Sequence, residues 1–129
     1  DIKSSHVIPL FIYGLLNNKP PYITGDGSQG RDFIYVDDVV SAVMMSLVKA
    51  PKNKFFNIGA EKIISINDLF KEIKSILKVQ LKPKYIKERK GDVKQIYLDA
   101  KKAKKQLGWA AETNLRCGLI KTIKWFKKK

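Results

Sequence analysis

The sequence predicts an α/β fold of helices with a few short strands. Three features lead there. Apolar residues recur at spacings of three and four in several stretches, most cleanly through Ile66, Leu69, Phe70, Ile73, Ile76 and Leu77. Short apolar runs of strand length lie between those stretches, and Gly, Pro, Asn and Asp punctuate the joins. The strands are too few for a complete doubly wound sheet.

Taken in order, Val7 to about Asn17 reads as the first helix. Pro9 falls in its first turn, where a missing N–H costs nothing, and Leu10, Phe11, Leu15 and Leu16 are its apolar residues. Asn18 to Gly30 is turn and loop, and Phe33-Ile34-Tyr35 the next strand candidate. Asp37 and Asp38 suit a helix start, because carboxylates complement the free N–H groups of a first turn. Val39, Val40, Val43, Met44 and Leu47 then form one apolar face up to Ala50-Pro51. Phe55 to Gly59 reads as a short buried strand. Ser65 with Asp68 has the form of a capping box that opens the 66–77 helix. Pro83 to Ile86 and Ile96 to Leu98 are strand candidates. Ala100 to Leu107 is a lysine-rich helix closed by Gly108. After Thr113-Asn114, the last helix carries Leu115, Leu119, Ile123 and Phe126. Met44, Met45 and Cys117 are expected to pack inside.

A chain of 129 residues supports one ordinary core and not two domains. With 44% hydrophobic and 29% charged residues it has the composition of a globular domain. No apolar run approaches the ~20 residues that span a bilayer, so no membrane partner is expected. The single cysteine excludes an internal disulfide and favours a reducing, cytoplasmic setting. One histidine, His6, makes no metal cluster, and no metal is expected. The net charge of +14 directs attention to polyanions. Yet 23 of the 26 basic residues are lysines, spread on polar helix faces (Lys71, Lys74, Lys78; Lys121, Lys124, Lys128). Aromatics do not interleave with them as a base-stacking surface requires. Nucleic acid is therefore not the expected partner, and a lysine-rich nucleic-acid-binding or interaction module stays as the alternative from another class. Arginine is rare, and two of the three arginines, Arg31 and Arg89, lie in glycine–aspartate motifs.

Gly25-x-Gly27-x-x-Gly30 matches the dinucleotide fingerprint in form only. That fingerprint follows a buried strand, opens a helix and has an acid about 20 residues on. Here Pro20-Pro21 and three residues precede it, an extended run follows, and position 50 is alanine. No cofactor-binding residue is assigned to it.

The block Gly25-Asp26-Gly27-Ser28-Gln29-Gly30-Arg31-Asp32-Phe33-Ile34-Tyr35-Val36-Asp37-Asp38 resembles the nucleotide-sugar loop of the NAD-dependent epimerase/dehydratase family, the extended short-chain dehydrogenases. Other blocks resemble that family in order along the chain: Val7-Ile8-Pro9, Pro21 to Thr24, Phe56-Asn57-Ile58-Gly59 with Ser65-Ile66, Arg89-Lys90-Gly91-Asp92-Val93, and Leu98 to Trp109. The run Gly91 to Asp99 most resembles its UDP-glucose 4-epimerase branch.

The resemblance implies the C-terminal part of an extended Rossmann-type epimerase, with residues 1–129 as the substrate-binding portion of a longer polypeptide. The start at Asp1 fits that expectation. NAD would be bound by the N-terminal portion, which would also supply the catalytic tyrosine; no catalytic residue is expected in this chain. Tyr97-x-x-x-Lys101 lies in the terminal block, where the family has no catalytic pair; Tyr97 is expected to pack in a strand and Lys101 to be solvated. By resemblance, Arg31 and Arg89 clamp the pyrophosphate of a UDP-sugar, since guanidinium forks pair with such oxygens as lysine cannot. Surface salt bridges to Asp32 or Glu88 are the plainer alternative. Asp92 would orient an arginine or accept from a ribose hydroxyl; a plain turn acid is the alternative. Val7, Tyr22, Ile23, Thr24 and Ile66 are assigned to the uracil pocket by position in the family pattern, with plain core packing as the alternative for the apolar ones. Gly30 stands where the family carries a larger residue, and is expected to loosen the loop around Arg31. The implied activity of the intact protein is 4-epimerisation of a UDP-hexose, with a homodimer as its assembly. A nucleotide-sugar 4,6-dehydratase or decarboxylase is the alternative within the family.

Overall fold

The computed structural model describes residues 6–49, 55–88 and 90–128. Among these residues, five helices and five short strands follow in the order α1 (Val7–Leu16), β1 (Tyr22–Thr24), β2 (Gly30–Asp32), α2 (Val36–Lys49), β3 (Ile63–Ser65), α3 (Ile66–Leu77), β4 (Lys84–Ile86), β5 (Gln95–Ile96), α4 (Lys101–Leu107) and α5 (Leu115–Phe126). The strands form two small sheets. β1 pairs in parallel with β4, Ile23 opposite Tyr85. β2 is central in the other, antiparallel to β3 and parallel to β5.

Local chemistry explains the helix ends. Ser65 Oγ accepts from the Asp68 amide at 3.0 Å and donates to the Asp68 carboxylate at 2.6 Å, so α3 begins there. Its apolar side, Ile66, Leu69, Phe70 and Ile73, is buried. Asn114 caps α5 by accepting from the Cys117 amide at 2.9 Å, and Gly108 closes α4 in the left-handed conformation.

The Ser65 hydroxyl, with Lys71 behind it, holds the Asp68 carboxyl below the ordinary carboxylate range. A carboxyl whose folded pKa is lowered stabilises the fold above its unfolded value, and loses that contribution as pH falls through the folded value. The urea midpoint is therefore expected to fall on acidification below about pH 4. Asp68→Asn should flatten part of that fall; an unchanged pH profile would remove the cap from the explanation.

Two apolar clusters form the interior. The larger joins Phe11, Ile12 and Leu15 of α1, Ile23 of β1, four residues of α3, and Leu119 and Ile123 of α5. Phe11 and Phe70 meet edge to face at 5.5 Å. The smaller gathers Trp109 with Ala42, Ala100, Ala103 and Leu107, flanked by Ile34, Phe56 and Ile58. Buried Asp38 ties α2 to this second cluster. Its carboxylate accepts from the amides of Glu112 and Thr113 and from the Thr113 hydroxyl, at 3.1–3.3 Å.

Several expectations change. The strand lies at Gly30–Asp32 and not at Phe33-Ile34-Tyr35. Its ladder partners are residues 63–65 and 95–96, so Phe33 and Ile34 become the link to α2, one against each cluster. Phe55 to Gly59 is not a strand, and Phe55 is 85% exposed. The apolar stripe of α2 exists but faces outward: Val40, Val43, Met44 and Leu47 are all more than half exposed, and only Asp38 and Ala42 are buried. Met45 and Cys117 are exposed as well. Ala50-Pro51 lies outside the described residues. Among the described residues, no helix is long and apolar enough to cross a membrane, and no group of His, Cys, Asp and Glu is arranged to hold a metal.

Candidate nucleotide-binding cleft

The Gly25–Gly30 loop leads from β1 into β2, a strand, so the form of a dinucleotide fingerprint is not realised. Among the described residues, no helix opens on a glycine. The described residues thus do not form the phosphate cradle that the fingerprint supplies for NAD.

β2 presents Arg31 and Asp32 to different neighbours, as alternate strand residues must be. Arg31 Nη1 donates to the carbonyls of Gly30 at 2.9 Å and Val93 at 2.7 Å, and Nη2 pairs with Asp92 Oδ1 at 2.9 Å. Asp32 instead accepts from the amides of Ala60, Glu61 and Leu98 at 3.0–3.3 Å. The partner of Arg31 is thus Asp92, and not Asp32 or Glu88. Both members of the pair are about a quarter exposed, at 27% and 26%. Both Nη1 N–H groups are spent on backbone and one Nη2 N–H on Asp92, which leaves the second Nη2 N–H and the Nε N–H to meet an anion.

A cleft of about 250 Å³ opens beside this pair. α1 supplies Val7, β1 supplies Tyr22, Ile23 and Thr24, α3 supplies Ile66, and Arg31 and Asp92 stand at its polar side. Seven of the eight residues expected to bind substrate therefore share one cleft. The eighth, Arg89, lies outside the described residues. Ile23 and Ile66 are the buried floor, at 1% and 7% exposure, whereas Tyr22 is 61% exposed and belongs to the rim. Leu10, Phe11 and Gln29 complete the wall and were not foreseen. Leu10 and Phe11 follow Val7 by one helical turn, the spacing that could have named them. Gln29 Nε2 donates to the Thr24 carbonyl at 2.8 Å, which pins the loop to β1.

A second, more polar hollow of about 260 Å³ lies across the loop, lined by Asp26, Ser28, Glu88 and Lys94 and sharing Gln29 and Asp92 with the first. The Ser28 side chain and amide hold the Asp26 carboxyl below the usual carboxylate range, so it is ionised at neutral pH. Each hollow is smaller than the about 300–1,000 Å³ typical of whole-ligand sites. The first suits parts of a ligand: an apolar floor at Ile23 and Ile66 for a planar base, and the Arg31 guanidinium at its edge for an anionic group.

Gly30 does not loosen the loop. It is buried in β2 with ladder partners on both sides, Ser65 and Gln95, and a Cβ there would overlap Ile63 Cγ2. A close strand crossing, not freedom, requires the glycine. Tyr97 follows β5 and is 58% exposed, so it does not pack in a strand. Lys101 pairs with Asp99 at 3.3 Å.

Residues 1–59 match the model of the NAD dependent epimerase/dehydratase family. Over 121 residues the chain is 45% identical to a Methanocaldococcus jannaschii protein provisionally named a UDP-glucose 4-epimerase, covering 94% of this chain and 39% of that protein. It superposes on the Thermotoga maritima UDP-glucose 4-epimerase solved with UDP-glucose at a TM-score of 0.92 and 37% identity, covering 99% of this chain and 41% of that one. A dTDP-glucose 4,6-dehydratase from Bacillus anthracis, solved with NAD, gives a TM-score of 0.87 at 26% identity, with 96% and 39% covered. The chain spans about two fifths of the length of these relatives. In fold it matches the extended Rossmann-type epimerase structures, and in sequence it is similar to the NAD-dependent epimerase/dehydratase family.

Proposed function

We propose that this chain, residues 1–129, is the nucleotide-sugar-binding portion of a UDP-hexose 4-epimerase of the NAD-dependent epimerase/dehydratase family. The observation that carries the reading is the single cleft shared by Val7, Tyr22, Ile23, Thr24, Ile66, Arg31 and Asp92. The base lies on the Ile23–Ile66 floor. Arg31, joined by Arg89, takes the pyrophosphate, and Asp92 holds Arg31 in place or accepts from the ribose. The sugar extends toward a portion of the polypeptide outside this chain, which binds NAD and supplies the tyrosine base. The intact protein is a cytoplasmic homodimer in this reading.

The division of labour has a direct test. Titrated by calorimetry, this chain is expected to bind UDP and UDP-glucose, to give no heat with NAD, and to turn over no sugar. NAD binding or turnover by this chain alone would show the division to be wrong. Specific elution from immobilised UDP by free UDP, against salt elution from a polyanion resin, separates this reading from a nucleic-acid-binding module. Similarity to the Bacillus anthracis 4,6-dehydratase supports a second reading, a nucleotide-sugar dehydratase or decarboxylase with the same cleft. The product of the whole polypeptide decides it: a 4-epimer in one case, a 4-keto-6-deoxy or decarboxylated sugar in the other.

A further inference from the structure

We infer that Asn67 is a positioning residue for the cleft: it fixes the Gly25–Gly30 loop against α3 and β4, and so sets the wall against which the nucleotide lies. This rests on the proposed nucleotide-binding role of the cleft and adds to it a residue that does not line the cleft.

The wall is assembled from pieces far apart in sequence. β1 and the loop after it contribute Tyr22, Ile23, Thr24 and Gln29, while Ile66 comes from the start of α3. Asn67, the next residue of α3, is bonded to the loop and to β4, the strand beside β1. Its Nδ2 donates to the Asp26 carbonyl at 2.8 Å, and its backbone N–H donates to the Gly27 carbonyl at 3.0 Å. Its Oδ1 accepts from the Tyr85 hydroxyl at 2.9 Å. Tyr85 is in β4, opposite Ile23 of the cleft floor. The preceding residue, Ile66, donates its amide to the Gln29 carbonyl at 3.1 Å. Loop, helix start and strand thus meet at one side-chain amide.

The loop is shaped to receive that amide. Gly27 is buried with φ +76°, and a Cβ at this position would overlap the Asn67 carboxamide. The carboxamide is used at both ends, donor to one element and acceptor from another. Aspartate would keep the acceptor but set an oxygen against the Asp26 carbonyl. Neither Asn67 nor Tyr85 reaches the cleft, so their influence passes through the loop.

The test compares Asn67→Ala, Asn67→Asp and Tyr85→Phe with the unchanged chain and with Trp109→Phe, a change in the second cluster away from the cleft. Amide hydrogen exchange follows Gly25, Ser28 and Gly30, whose N–H groups are all bonded within this region, and calorimetry follows UDP. Asn67→Ala and Asn67→Asp are expected to speed loop exchange and to weaken UDP binding about tenfold, the effect of one lost hydrogen bond. Tyr85→Phe should act in the same direction and more weakly. Trp109→Phe should lower the melting temperature and leave UDP affinity alone, which a merely structural role for Asn67 would also predict of its own variants. Loop exchange equal to the unchanged chain overturns the inference whatever UDP does. So does faster exchange with UDP affinity intact. If the unchanged chain fails to bind UDP, the proposed function fails, and loop exchange by itself decides the role of Asn67.

Discussion

Arg31→Lys is expected to weaken UDP binding about 10- to 150-fold, the equivalent of about 1.5–3 kcal/mol for one charge-assisted hydrogen bond. The reason lies in how Arg31 is held. Its fork reaches the carbonyls of Gly30 and Val93 and the Asp92 carboxylate together. A lysine ammonium is a single point and cannot span those three acceptors while also facing a diphosphate. Charge is conserved in the substitution, so a loss of this size reports geometry. Lys128→Ala, on the exposed end of the chain, is the matched control and should change little. Arg89→Lys should have a similar effect to Arg31→Lys. Because both would contact one pyrophosphate, the double variant should lose less than the sum. Isothermal titration of the four variants against the unchanged chain settles the point. Singles that bind UDP like the unchanged chain, or effects that simply add, would remove the shared clamp.

Trp109→Ala is expected to destabilise the fold by about 3–5 kcal/mol, the usual cost of emptying a buried tryptophan site. Trp109 is 2% exposed and is the largest member of the smaller cluster. Its Nε1 donates to the Asp38 carbonyl at 3.0 Å and to Ser41 Oγ at 2.9 Å. Truncation therefore opens a cavity and also loosens the start of α2, where the Asp38 carboxylate holds residues 112 and 113. Trp109→Phe keeps most of the volume and loses the indole donor, which should cost about 1–2 kcal/mol. Set against about 5–15 kcal/mol of total stability for an ordinary domain, the alanine change removes a large part. Urea unfolding should show a lower midpoint for both variants, with the slope preserved. A Trp109→Ala midpoint close to that of the unchanged chain would mean that the second cluster does not support the fold.

Much of the local structure was legible because its causes are local. Ser65 with Asp68, Asn114 before Leu115 and Gly108 after Leu107 set helix ends through bonds spanning a few residues. The cleft residues were legible for a different reason, a motif resemblance that named Val7, Tyr22, Ile23, Thr24, Ile66, Arg31 and Asp92 before any geometry placed them side by side. The dinucleotide fingerprint could be rejected from the residues around its glycines, and the loop does run from strand to strand.

What the sequence by itself determined about this protein is therefore its fold class, its main helices and the residue types at one cleft. Tertiary structure alone decided four further things. The strand settled on Gly30–Asp32 and not on the more apolar residues after it, because a strand this short is held by its ladder, and both partners are far away in sequence. The stripe on α2 turned outward, since periodicity reveals that a helix has an apolar face but not what, if anything, lies against it. Arg31 chose Asp92 over the adjacent Asp32, and Asn67 came to join the glycine loop to β4. Those pairings span 61 residues for Arg31 and Asp92, and 41 and 18 for Asn67 with Asp26 and Tyr85. Contacts of that range depend on how the whole chain packs, and no local spacing encodes them.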